Sequence, residues 1–166
     1  MRYFNIEDWI ADQGDDIAHQ SKTQASVASY RSYLAEIHPS LPEQLRFFLK
    51  TICIHDAGLL ALEIDSRRRT LILNLAAGDI TMREARYVRL FYEDLESFAI
   101  PRDPPAGLRF SLGGGGFGDL GFDELERLTA GFEHRVLFAS GVELHIRFGR
   151  FRFELLDEPE VSRAAI

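Results

Sequence analysis

The chain has 166 residues, 46% of them hydrophobic and 27% charged, and carries a formal net charge of −7. That balance bounds it at one globular domain, or one domain with a small appendage, and excludes wholesale disorder. Its acids outnumber its bases along the whole length, and Arg67-Arg68-Arg69 is the only basic run, so no nucleic-acid partner is expected.

A single cysteine, Cys53, excludes an internal disulfide and a cysteine-based zinc site. The first residues lack a positively charged segment leading into an apolar run, and no stretch is long enough to span a bilayer. A cytoplasmic protein without membrane contact is the expectation.

Residues 1–52 predict helices. Ile6, Trp9, Ile10, Gln13 and Ile17 recur at helical spacing. Val27, Tyr30, Leu34 and Ile37 form a second stripe, which starts after Ser21 or Thr23 as N-cap and stops before Pro39. Ser40-Leu41-Pro42-Glu43 has the spacing of a capping box and opens a third helix, with Leu41, Leu45, Phe48, Leu49 and Ile52 on one face. Trp9 and these rings are read as core packing against a sheet rather than the lining of a cofactor pocket, and no cofactor is expected.

The period changes at Cys53-Ile54-His55-Asp56. Leu60, Leu62 and Ile64 alternate, then Leu71, Leu73 and Leu75, which predicts a hairpin with the three arginines at its tip. Residues 85–95 predict a strand with apolar groups on both faces, Val88, Leu90 and Tyr92 against Tyr87 and Phe91, hence a central or doubly covered one. Residues 100–118, rich in proline and glycine, predict a loop. No Gly-Lys-Ser/Thr follows the glycines to hold a phosphate.

The last third predicts strands. Phe132, His134, Val136 and Phe138 align with Phe148, Ile146, Leu144 and Val142 across Ala139-Ser140-Gly141, a three-residue loop with glycine in the left-handed position. Glu133 then faces Arg147, and a one-residue slip would send both sets to the wrong side. Residues 120–128 fit either a strand or a short helix. The strand gains from Thr129-Ala130-Gly131 as a second three-residue loop, which sets Leu128 opposite Phe132, Glu126 opposite His134 and Glu124 opposite Val136. Phe148-Gly149-Arg150-Phe151 suits a two-residue hairpin, although it opposes Arg147 and Arg152, a like-charge pair. The expected fold is a single α+β domain over residues 1–157. Its N-terminal helices (1–52) pack on a curved, mostly antiparallel sheet of about six or seven strands (53–157), and a tail over 158–166 frays.

That register gathers Glu124, Glu126 and His134 on the phenylalanine face. A carboxylate and an imidazole placed there should pair, because a lone buried charge is strongly disfavoured. His55-Asp56 is the second candidate. Adjacent His and Asp resemble the metal-binding HD phosphohydrolases, but those are all-helical and need further ligands. Neighbours along a strand point to opposite faces, so no metal is expected, and the pair is read as tying the third helix to the first strand. No catalytic residue is assigned, since nucleophile-elbow and His-Glu-x-x-His motifs are absent.

Met1-Arg2-Tyr3-Phe4 with Trp9 behind it, and Ile54-His55-Asp56-Ala57 entering a strand, resemble an uncharacterised bacterial family that begins Met-Lys/Arg-Tyr-Phe. Asn5 stands where that family has threonine. Residues 123–126 and 133–138 resemble strands of related domains of unknown function, and some proteins with a similar His-Asp-Ala strand are immunity proteins of bacterial toxin systems. The resemblance implies a bacterial, soluble α+β domain and carries no activity with it. Together with the acidic charge it points to a non-catalytic protein-binding module for a basic, toxin-like partner. The alternatives are a small hydrolase or ligand-binding enzyme using Glu124, Glu126, His134 and His55 in a cleft, and a structural subunit that oligomerises through an edge strand. The oligomeric state is left open.

Overall fold

The computed structural model describes residues 1–7, 17–101 and 117–158. Trp9, Ile10 and Gln13 of the first stripe, most of the glycine-rich loop and all but the first residue of the expected tail lie outside the described residues.

Helix α1 (Ile17–Ile37) runs through Ser21 and Thr23 without a break, so neither caps a helix. Its stripe is the expected one: Tyr30 is buried, and Leu34 and Ile37 pack against the core. The helix stops before Pro39 in a 3-10 turn (His38–Ser40). There Ser40 Oγ donates back to the Ile37 carbonyl at 2.7 Å, closing the helix behind it instead of opening the one ahead. The predicted capping box therefore does not form. Helix α2 (Glu43–Thr51) starts from Pro42, which has no side-chain donor or acceptor to offer, and buries Leu45 and Phe48.

Eight strands follow among the described residues: β1 (Ile52–Asp65), β2 (Thr70–Asp79), β3 (Ala85–Glu93), β4 (Ser97–Ala99), β5 (Leu120–Arg127), β6 (Phe132–Phe138), β7 (Glu143–Phe148) and β8 (Arg150–Leu156). The α+β class is as expected, but the strands form two antiparallel sheets of four rather than one sheet of six or seven. Their orders are β1-β2-β3-β8 and β4-β7-β6-β5.

The division falls at Gly149. Its N–H donates to the Glu93 carbonyl at 3.1 Å, and a Cβ there would meet Asp94 Cβ at 3.1 Å. The chain thus turns a corner between sheets where a two-residue hairpin was predicted. β8 pairs with β3, setting Phe151 opposite Tyr92 and Phe153 opposite Leu90. The corner also removes the like-charge clash of the predicted hairpin. Arg147 reaches Glu133 at 2.8 Å in one sheet, and Arg152 reaches Glu93 at 2.9 Å in the other.

The first hairpin is as read, with Leu62 opposite Leu73 and Ile64 opposite Leu71. At its arginine tip Asp65 Oδ1 accepts from the backbone N–H of Arg67 and Arg68. β3 is central, between β2 and β8, and the ring of Phe91 on its second face lies 3.3 Å under the Arg152 guanidinium. Leu73, Leu75, Val88, Leu90 and Tyr92 from the first sheet share one core with Val136, Phe138, Leu144, Ile146 and Phe148 from the second. Phe48 of α2 packs on Phe151 and Phe153, with ring centroids 5.3 and 5.5 Å away. No helix among the described residues is long and apolar enough to cross a membrane.

Candidate functional site

The β6–β7 hairpin has the predicted register, Phe132 to Phe148, His134 to Ile146 and Val136 to Leu144, with Gly141 at φ 81° in its loop. β5 is a strand, not a helix, but its register on β6 differs by one residue. Leu128 N–H donates to the Gly131 carbonyl, and Arg127 stands opposite Phe132, so residues 128–131 make a four-residue loop. His134 consequently faces Leu125, Glu124 faces Arg135, and Glu126 faces Glu133. Because side chains alternate, the shift exchanges the two faces of β5. The predicted Glu126–His134 pair does not exist; Asp123 takes its place on the inner face.

There His134 sits in a relay. Its Nδ1 is 2.7 Å from the Tyr92 hydroxyl and its Nε2 is 3.1 Å from Asp123 Oδ2. With Tyr92 O–H donating to Nδ1 and Nε2–H donating to the carboxylate, both bonds are satisfied by a neutral imidazole in one tautomer. Burial, and then the charge of Asp123, push the Tyr92 hydroxyl well above its ordinary range, which keeps it a donor. The same two causes raise Tyr30, whose oxygen accepts the Leu125 N–H at 2.6 Å. Burial likewise raises the Cys53 thiol, away from thiolate chemistry. His134 is only 4% exposed. The cavity beside it, under Leu45 and Phe48 of α2, holds about 10 Å³, room for one water and no substrate. Tyr92→Phe, which leaves Nδ1 without its donor, is expected to cost about 1–2 kcal/mol in urea unfolding.

The outer face of the second sheet carries the acids singled out from the sequence. Glu124, 1% exposed, accepts the backbone N–H groups of Arg2 at 2.8 Å, Tyr3 at 2.6 Å and Phe4 at 2.9 Å, and Arg135 Nη1 at 3.3 Å. It straps the first residues across the sheet, with Phe4 stacked on Phe122 at 4.4 Å. Arg135 also binds Glu126 at 2.5 Å and Glu133, and Glu143 accepts from His145 at 2.6 Å and from the Met1 amino group at 2.9 Å. An open groove of about 390 Å³ runs between Arg2, Glu126, Arg135 and Arg147.

Burial alone would raise the Glu133 carboxyl, but hydrogen bonds from Arg147 and Arg135 and the charge of Arg135 hold it below its ordinary value of 4.5. Glu143 is lowered in the same way, its burial outweighed by bonds from the Met1 amino group and His145. A carboxylate depressed in the folded state adds stability above its unfolded pKa and gives it up as pH falls through the folded one. Urea unfolding midpoints should therefore hold above about pH 5 and fall steadily below it. Glu133→Gln should flatten that fall.

His55 and Asp56 lie elsewhere. Asp56 has φ 61° in a bulge of β1, so strand alternation fails there and His55 Nε2 comes within 3.6 Å of Asp56 Oδ1. His55 Nδ1 approaches the Gly121 carbonyl at 2.5 Å, tying β1 to β5. The five residues thus divide: Glu124 and Glu126 outside, His134 inside, His55 and Asp56 at the β1 bulge. Asp123, Tyr92 and Arg135 escaped the sequence: the predicted registers set Leu125 and His145 opposite Arg135, and only the one-residue shift of β5 brings Glu124 there. Among the described residues no three His, Cys, Asp or Glu side chains gather as a metal would require. Comparison with known protein families, curated proteins and solved structures gives no match.

Proposed function

We propose that the chain is a non-catalytic protein-binding module, of which the neutralisation of a basic, toxin-like partner in a bacterial cell is the most concrete form. One observation carries the reading. His134, between Tyr92 and Asp123, and Glu124, under three backbone amides, are engaged in holding the fold, whereas the charged groove on the outer face of the second sheet is open. The attraction for a basic partner is long-range and comes from the net charge of −7, not from the groove itself, where Arg2, Arg135 and Arg147 stand against Glu126 and Glu133. A hydrolase built on Glu124, Glu126, His134 and His55 lacks comparable support, since these groups do not share a cleft.

The test is affinity capture with the full chain at low ionic strength, eluted by a salt gradient, alongside Glu126→Lys at the groove. A basic protein that is retained by the wild type, released by salt and weakened by Glu126→Lys supports the reading. A wild type that retains nothing at low salt, or retention that ignores both salt and Glu126→Lys, refutes it.

A further inference from the structure

β8 closes one side of the first sheet. β3 occupies one of its edges, and among the described residues no strand pairs with the other. Exposed edges are commonly blunted by proline, a bulge or an inward charge. β8 has no proline, its pairing with β3 runs unbroken from Arg150 to Leu156, and its inward positions are Phe151, Phe153 and Leu155. Apolar surface collects there: Leu155 is 55% exposed, and Phe47 of α2, 53% exposed, stacks on Phe153 at 5.8 Å.

The chemistry of this edge selects its own partner. When two copies of β8 run antiparallel with faces matched, the register centred on Phe153 sets Phe153 against itself, Phe151 against Leu155, and Arg152 against Glu154. Centring the pair on Arg152 opposes two arginines, and centring it on Glu154 opposes two glutamates. The middle register alone joins opposite charges on one face and apolar groups on the other without opposing like charges. Arg152 donates Nε to Glu93 of β3 and Nη1 to Glu154 of its own strand, at 2.9 and 2.5 Å, so the two charged ends of β8 lie together on the face that the pairing needs. We infer that the protein forms a two-fold dimer through β8, with a second copy of this chain as the occupant of the free edge and the two first sheets joined into one. The dimer is independent of the outer face of the second sheet and of any partner bound there.

Sedimentation of the full chain from about 1 µM to about 500 µM tests this. The mass should rise from 18.9 kDa towards twice that value. Leu155→Lys alters an exposed side chain, so it should keep the thermal midpoint and stay monomeric throughout. Arg152→Glu and Glu154→Arg should each weaken self-association at least tenfold, because each alone opposes like charges. An equimolar mixture of the two should dimerise again, since every Glu then meets an Arg. A wild type that stays at 18.9 kDa, a folded Leu155→Lys that dimerises like the wild type, or a mixture that does not recover would each overturn the dimer.

Discussion

Replacing Glu124 with alanine should lower the unfolding free energy by about 3–5 kcal/mol, a cost set by the loss of several hydrogen bonds to one buried charge. The carboxylate accepts four donors, three of them backbone N–H groups. The Phe4 N–H is buried and would stay unmet, while Arg135 would keep Glu126 and Glu133. Glu126→Ala is the matched control. It removes another acid from the same arginine, but one partly open to solvent, and should cost no more than about 1 kcal/mol. Equal costs for the two variants in urea unfolding would mean that the strap over the first residues adds nothing to stability.

Gly131→Ala should be nearly as damaging. Gly131 has φ +77°, where a side chain costs about 1 kcal/mol, and its Cβ would lie 2.4 Å from the Phe148 carbonyl oxygen. That oxygen belongs to the backbone immediately before the Gly149 corner and cannot swing aside as a side chain would. The combined cost should be about 2–4 kcal/mol, read as a fall in thermal midpoint of about 6–12 °C. Gly149→Ala meets only the Asp94 side chain, at 3.1 Å, and should cost less. If the two substitutions prove equally mild, the close approach at Gly131 does not exist in solution.

These two glycines also mark where the sequence could and could not be read. The β6–β7 register was legible because loop length, glycine position and the two-faced pattern agree on one alignment. β5 was misaligned because its apolar residues do not keep one period. A register shift between Leu120 and Phe122 puts Leu120 opposite Phe138 on the inner face and Phe122 on the outer face under Phe4. With Leu128 opposite Phe132, the predicted register sets Phe122 inward against Phe138 and pulls Glu124 and Glu126 inward with it, so it misses the Asp123–His134 contact. Gly149-Arg150 carries the local chemistry of a tight hairpin, yet the partner of Phe151 is Tyr92, far away in sequence, and local pattern holds no information about it. The opposed Arg147 and Arg152 were the one sign that the hairpin was wrong. His55 and Asp56 were separated by a rule of alternation that holds only for regular strand, and the left-handed Asp56 breaks it.

The corner at Gly149 has a bearing on how the molecule assembles. β5, β6 and β7 follow one another through short loops, so the second sheet can form from nearby segments within a fraction of the folding time. The first sheet is different: β3 is made early, but its neighbour is the last described strand, and the intervening chain must be closed into a loop before the two meet. During synthesis the β3 edge therefore stays bare until the ribosome has released residues 150–156. Refolding should show the second meander protected from hydrogen exchange before β3 is, with docking of the final strand as the slow step.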